Sequence, residues 1–242
     1  MRILLSGLLF IIWGVAVYAA TKWYTRHTKP EVEAKTRIYE IFDSLIAVGI
    51  WYIGVILLHK FAKTYIQFVF WDLILTVGIV ALFTVVRKRT FKDIGISNQN
   101  LGRTVILSLM LIGIYSAANY CGILLKMHPY PIRIGTPSLK IALIILGMAI
   151  INPGVIEELL FRGFVLSKLE RCMNWKIALV CSAIIFGLVH IQQGLFACLG
   201  ALYLGLLLGY TFHYTKNLIT TIFPHAIGLT LPLIIANIFH IL

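Results

Sequence analysis

Apolar stretches, most of them long enough to cross a bilayer, recur along the whole chain. They fall near residues 3–20, 44–58, 65–86, 104–125, 139–170, 176–192, 195–214 and 218–242. A segment of about 18 apolar residues spans a hydrocarbon core as a helix. The strands of an outer-membrane barrel would instead alternate polar and apolar residues, and these segments are apolar on every face. The expected fold class is therefore all-α: a polytopic membrane protein with seven or eight transmembrane helices. Composition agrees, with 60% hydrophobic and only 12% charged residues, against about 45–50% and 25% in soluble proteins.

The net charge of +12 belongs to the loops. Basic residues cluster in "RKRTFK" at Arg87–Lys92 and at Lys22, Arg26, Lys29, Lys35 and Arg37, the pattern of cytoplasmic loops. No nucleic-acid-binding motif accompanies the charge, so nucleic acid is not an expected partner. With eight spans, the loops after segments one, three, five and seven carry most of the Lys and Arg. They are expected to face the cytoplasm, provided segment 139–170 crosses once. The apolar part of the first segment is too long for a signal peptide and reads as a retained helix. The polar stretch Thr21–Asp43 holds most of the acidic residues expected outside the membrane. The four cysteines contain no CxxC and read as small packing residues.

Against this background "NPGVIEELLFRGFV", Asn152–Val165, stands out for three charges. As one straight helix, 139–170 would run about 48 Å, longer than a hydrocarbon core of about 30 Å. Pro153-Gly154 is expected to break it, with a new helix starting near Gly154 and both glutamates in its first turn, at the positive end of its dipole. Glu158 and Arg162 are spaced i, i+4, in the favourable order for an ion pair. Glu157 is rotated about 100° away, and its i+4 position is Phe161. The spacing thus neutralises Glu158 and leaves Glu157 desolvated and unpaired, as a general acid–base requires. An interfacial ion pair capping a helix is the purely structural reading.

In "FGLVH", His190 follows Phe186 by four residues and shares its face. In "FPHAIG", His225 follows Pro224. Of seven histidines, these two lie in apolar surroundings behind the glutamates. Each alone reads as a histidine bonded to a backbone carbonyl. With Glu157 they form a set that could hold a water, or a metal with a water. Ala201, Gly205 and Gly209, at i, i+4 and i+8, permit close helix approach.

"EELLFR" and "FGLVH" resemble the EExxxR and FxxxH motifs of the CAAX-protease and bacteriocin-processing (CPBP, or Abi) intramembrane proteases. "LYLGLLLGYTFHYTKNLITTIFPHA" is similar to their third conserved stretch. The resemblance covers about residues 140–240. It implies that Glu157 activates water, that Glu158 and Arg162 with Phe186 support it, and that His190 and His225 position the water or bind a metal. The candidate metal ligands are Glu157, His190 and His225. Zinc and no metal both stay open, since the chain has no HExxH. The family pattern has Asn four residues after the last histidine. Here that residue is Leu229, which has no amide to stabilise an oxyanion. Thr230 is about 100° around the helix, and Asn237 lies further along it.

The expected organisation is an N-terminal set of transmembrane helices, 1–138, without a recognisable motif, and a protease-like core, 139–242. The expected function is an intramembrane endopeptidase acting near the membrane surface on a membrane-associated peptide or protein, with the lipid bilayer as its other partner. A catalytically weak or inactive relative acting by binding, as in bacteriocin self-immunity or membrane-protein regulation, is the alternative set by Leu229. A transporter is disfavoured, because the buried charges cluster in the last third and no repeat is evident. A compact chain without long insertions points to a multi-pass protein of a prokaryotic cell membrane.

Overall fold

The computed structural model describes residues 34–87, 89–96, 101–125 and 137–241. The expected helix at 3–20 lies outside the described residues, as do Lys22, His27 and His128. Seven helices make up the described chain: α1 Ala34–Phe61, α2 Tyr65–Val86, α3 Leu101–Leu124, α4 Leu139–Cys172, α5 Trp175–Val189, α6 Leu195–Thr215 and α7 Ile219–Ile238. No strand occurs among the described residues. Six of these helices are long and apolar enough to cross a membrane, and α5, with 15 residues, is shorter. The chain is an all-α, multi-pass integral membrane protein, as its apolar segments imply. Helix starts carry the expected caps. Thr64 Oγ1 accepts from the Gln67 N–H at 3.2 Å, and Asn174 Oδ1 from the Lys176 N–H at 2.9 Å, meeting donors that have no partner within the helix.

The helix α1 starts ten residues earlier than the apolar pattern suggests. Glu40 and Asp43, expected in a polar loop, are instead buried inside it. The reason is a cation from across the fold. Lys168 Nζ, itself buried, lies 2.6 Å from Glu40 Oε2 and 2.9 Å from Asp43 Oδ2. Arg87 pairs with Asp43 at 2.7 Å, and Arg89 with Glu40 at 2.6 Å. The cluster ties the start of α1 to the ends of α2 and α4.

The expected break in α4 is present, one residue earlier than read. Asn152 leaves helical geometry (φ −132°, ψ 117°) directly before Pro153. The helix resumes at once, so Glu157 and Glu158 sit in its second turn rather than its first. Winding is wider than α on both sides of the glutamates, over Ile150–Val155 and Leu159–Leu166. The Ile156 N–H donates five residues back, to the Ile151 carbonyl. Such π-type winding inserts a residue into the ladder and re-aims the side chains beyond it.

The helices α3 and α7 run parallel. Ser108 Oγ donates to the Ile219 carbonyl at 3.3 Å, and Asn119 Nδ2 to the Gly228 carbonyl at 3.3 Å. Residue numbers advance together along the contact, so three passes (α4, α5 and α6) lie between these helices. A single crossing of α4 puts its basic C-terminal end on the same side as the basic end of α2. Antiparallel to each other, α5 and α6 pack through the small residues noted above. A Cβ on Gly205 would lie 2.9 Å from Ala183 Cα, and one on Gly209 would lie 2.5 Å from Leu179 Cδ1. Below α7, a short turn at Phe91–Ile94 ends in Gly95, at φ +78°, whose carbonyl accepts the Leu218 N–H at 3.0 Å. The Thr90 backbone N–H and hydroxyl both donate to Asp93 in this turn and hold its carboxyl below the usual range.

The ionic cluster gives the first test. Lys168→Met keeps the aliphatic stem but leaves Glu40 and Asp43 without their buried cation. Stability in detergent is expected to fall by about 3–5 kcal/mol, read from denaturant titration of helicity. A loss below about 1 kcal/mol would mean that the partly exposed arginines neutralise the pair alone.

Candidate active site

The three motif segments meet in the interior. Glu158 is fully buried and Arg162 is 1% exposed. Their expected i, i+4 pair forms, with Arg162 Nη1 2.9 Å from Glu158 Oε1. The guanidinium makes two further contacts close by. Nη2 donates to the Leu204 carbonyl at 3.3 Å, and the group lies over the Phe186 ring at 4.4 Å. Buried ion pairs survive in an apolar interior when such extra bonds compensate desolvation.

The same carboxylate fixes a histidine. His225 Nδ1 is 2.7 Å from Glu158 Oε1. A carboxylate paired with Arg162 can only accept here, so Nδ1 carries the proton and donates. His190 is fixed in the same sense by backbone, its Nδ1 donating to the Phe186 carbonyl at 2.8 Å. In the neutral ring a proton on Nδ1 leaves Nε2 with a bare lone pair. Both Nε2 atoms face Glu157 Oε2, each at 3.9 Å. Phe186 is the common wall, edge-to-face with His190 at 4.8 Å and with His225 at 5.9 Å. Glu157 Oε2 is buried and has no hydrogen-bond partner among the described residues. Glu158 Oε1 is thus partnered on two sides while its Oε2, like Glu157 Oε2, has no hydrogen-bond partner among the described residues; only Glu157 Oε2 is aimed at two bare lone pairs.

Three acceptors converging on one point need a donor between them. A water supplies two O–H bonds and can donate to two of the three at a time. A metal ion would be served by the same bare nitrogens, with Glu158 and a carbonyl orienting the rings from behind. The spacing fits an ion less well. Ligand atoms about 2.0 Å from a tetrahedral zinc lie roughly 3.3 Å apart, against 3.9 Å on both edges here. Among the described residues no group of three His, Cys, Asp or Glu side chains is gathered closely enough to hold a metal ion.

Glu157, His190 and His225 line a cavity of about 410 Å³. One wall is α3, with Tyr115, Ala118, Asn119 and Gly122; the facing wall is α6, with Ala197, Gly200 and Ala201. The small residues keep the slot open. Phe196 and Tyr203, at its α6 edge, are 64% and 57% exposed, on a surface that faces lipid in a multi-pass protein. Leu229 also lines the cavity, one turn beyond His225, where an amide is absent. Asn237 donates to the Leu233 carbonyl along its own helix.

Sequence reasoning missed the contributions from the first half of the chain. Asn119 and Tyr115 form part of the cavity wall. Asp72, buried in α2, accepts from Trp51 Nε1 at 2.8 Å and lies 3.4 Å from Asn152 Nδ2. A lone carboxylate in segment 65–86 and a lone carboxamide in segment 104–125 were the available signals, since polar groups at membrane depth are costly.

The fold is that of an integral, multi-pass membrane protein, and two imidazoles and a carboxylate meet at one of its cavities. Residues 138–228 match the family model described as Type II CAAX prenyl endopeptidase Rce1-like. That stretch holds every motif residue named above, ends one residue before Leu229, and is similar to the CAAX proteases over a little more than a third of the chain. No curated protein and no solved structure matches the chain.

The division of labour between the glutamates is testable through folding. Arg162→Met should cost about 3–5 kcal/mol and lower the folded yield, because it strands Glu158. Glu157→Gln, which strands nothing, should change stability by less than about 1 kcal/mol. Equal losses by detergent melting in the two variants would make Glu157 as structural as its neighbour.

Proposed function

We propose that the protein is an intramembrane endopeptidase of the CAAX-protease type, with Glu157 as general base and His190 and His225 holding the nucleophilic water. The observation that carries this reading is the unpartnered Glu157 Oε2, buried at the cavity wall and equidistant from two bare imidazole nitrogens. A free acceptor in so apolar a setting is costly unless a ligand meets it. The water between the three groups gives one proton to Glu157 as its oxygen attacks the scissile carbonyl carbon. The new C–O bond converts that carbonyl to a tetrahedral oxyanion. The imidazoles, locked by Phe186 and Glu158, keep the attacking oxygen in line. Glu157 then passes its proton to the departing amide nitrogen as the C–N bond breaks, leaving a carboxyl end and an amine.

In this reading residues 139–242 carry the reacting groups and α3, from the first part of the chain, forms one wall of the cavity beside them. The slot between α3 and α6 suits a peptide that arrives within the membrane. The family description points to a prenylated CAAX peptide as the substrate to test. Placing the ends that carry Arg87, Arg89, Lys168 and Arg171 in the cytoplasm follows the basic-loop rule, and a prokaryotic cell membrane remains the proposed setting. Leu229 favours a second reading, a weakly active or inactive relative that binds such a peptide without cleaving it.

The test uses purified protein in liposomes with a quenched fluorescent peptide ending in a prenylated CAAX sequence. Wild type is expected to cleave it, and Glu157→Gln to lose about 10²–10⁴-fold in kcat, the usual contribution of a general base. Binding of the peptide without cleavage by either form would overturn the protease reading in favour of the second one.

A further inference from the structure

Every side-chain atom that the reaction centre turns to the cavity is an acceptor. Glu157 offers Oε2. His190 and His225 offer Nε2, because their Nδ1 protons are committed to the Phe186 carbonyl and to Glu158. The cation at the centre, Arg162, is turned away onto Glu158, the Leu204 carbonyl and the Phe186 ring. Attack by water creates an oxyanion, which needs a donor within about 3 Å. On α7 the residue one turn beyond His225 is Leu229, which lines the cavity and donates nothing. A donor has to come from a different helix.

Asn119, on α3, lines the same cavity. Its Nδ2 lies 3.3 Å from the Gly228 carbonyl and 3.0 Å from the Tyr115 carbonyl. These two bonds differ in what they satisfy. Four residues beyond Gly228 is Pro232, inside α7. Proline has no N–H, so the Gly228 carbonyl has lost its helical donor, and Asn119 replaces it. The Tyr115 carbonyl has no such need. Within α3 it already faces the backbone N–H four residues on, which is that of Asn119 itself. One N–H of the carboxamide is therefore committed, and the other meets only a carbonyl that is already paired and the neighbouring Tyr115 side chain. Turning the amide about its Gly228 contact frees the second N–H for the cavity without orphaning a buried carbonyl. That contact, to Gly228 three residues past His225, also anchors the amide next to position 229. Two other carboxamides line the cavity: Asn152 is turned toward Asp72, and Gln193 is exposed at its edge, on the turn after His190.

Building on the hydrolase reading, we propose that Asn119 is a catalytic residue that donates its spare N–H to the oxyanion, supplying from α3 the amide that position 229 of α7 lacks. The arrangement also answers how a chain with leucine at 229 can turn over.

A double-mutant cycle on the prenylated CAAX peptide tests this, with kcat and KM measured in liposomes for wild type, Asn119→Leu, Leu229→Asn and the pair. Asn119→Leu is expected to lower kcat by about 10²–10³-fold, the cost of losing one such donor, with KM changed less than about threefold. Leu229→Asn is expected to raise kcat at least about tenfold in the Asn119→Leu background, and by less than about threefold in the wild-type background. Rescue by an amide on another helix would not follow if Asn119 served only to cap Gly228. Three results overturn the proposal: unchanged kcat in Asn119→Leu, no recovery in the pair, or a gain above about tenfold from Leu229→Asn alone. The last needs no change at Asn119, so it holds even if Asn119→Leu does not fold. A full loss in Tyr115→Phe with none in Asn119→Leu would assign the donor to the phenol and overturn it too. No cleavage by wild type, with the peptide bound, removes the protease reading itself, and this donor with it.

Discussion

The carboxylate of Glu158 holds the interior together. Fully buried, it is met by Arg162 on its own helix and by His225 from α7. Through Arg162 it reaches the α6 backbone and the Phe186 ring of α5. Four helices therefore converge on one charge. In so apolar an environment the cost of burying it is offset only while every partner is present. The site geometry follows from this. His225 is locked with Nε2 outward because Glu158 takes its Nδ1 proton, and Phe186 is stationed where it also fixes His190. Glu157, one residue away and a hundred degrees around, turns Oε2 toward the two imidazoles, with no hydrogen-bond partner for that atom among the described residues.

Proline provides the second constraint. Without an N–H it cannot complete the helical ladder, and at membrane depth the abandoned carbonyl must find another donor. Before Pro153 the chain leaves helical geometry at Asn152, and wider winding follows. That break shortens the reach of a helix otherwise too long for the bilayer and brings the glutamates to the cavity wall. Pro232 leaves the Gly228 carbonyl to Asn119, which draws a carboxamide of α3 against α7. The cavity exists because α3 packs along α7 while α6 packs along α5, with glycines and alanines on the walls between.

What could be read from sequence was what a single helix determines. The Glu158–Arg162 pair and the contact of Phe186 with His190 need only neighbours one helical turn apart, and both form, the aromatic one edge-to-face; Glu157 Oε2 has no hydrogen-bond partner among the described residues. The apolar segments fixed the fold class for the same reason. Contacts that depend on which helices become neighbours were not legible. Lys168 meeting Glu40 and Asp43 spans more than 120 residues, so those acids read as loop residues. Asp72 beside Asn152, and Asn119 beside Gly228, were hidden likewise. Each involves a lone polar residue whose partner lies on a distant segment, and an apolar pattern carries no information about that pairing.

The central claim is that Glu157 faces a peptide carbonyl in the slot between α3 and α6. It is tested most directly by an experimental structure of Glu157→Gln with an uncleaved prenylated CAAX peptide. The account predicts the peptide backbone between these two helices, its scissile carbonyl beside residue 157, and a water within about 3 Å of both imidazole Nε2 atoms. A peptide bound outside this slot, or with His190 and His225 turned away from it, would contradict the account.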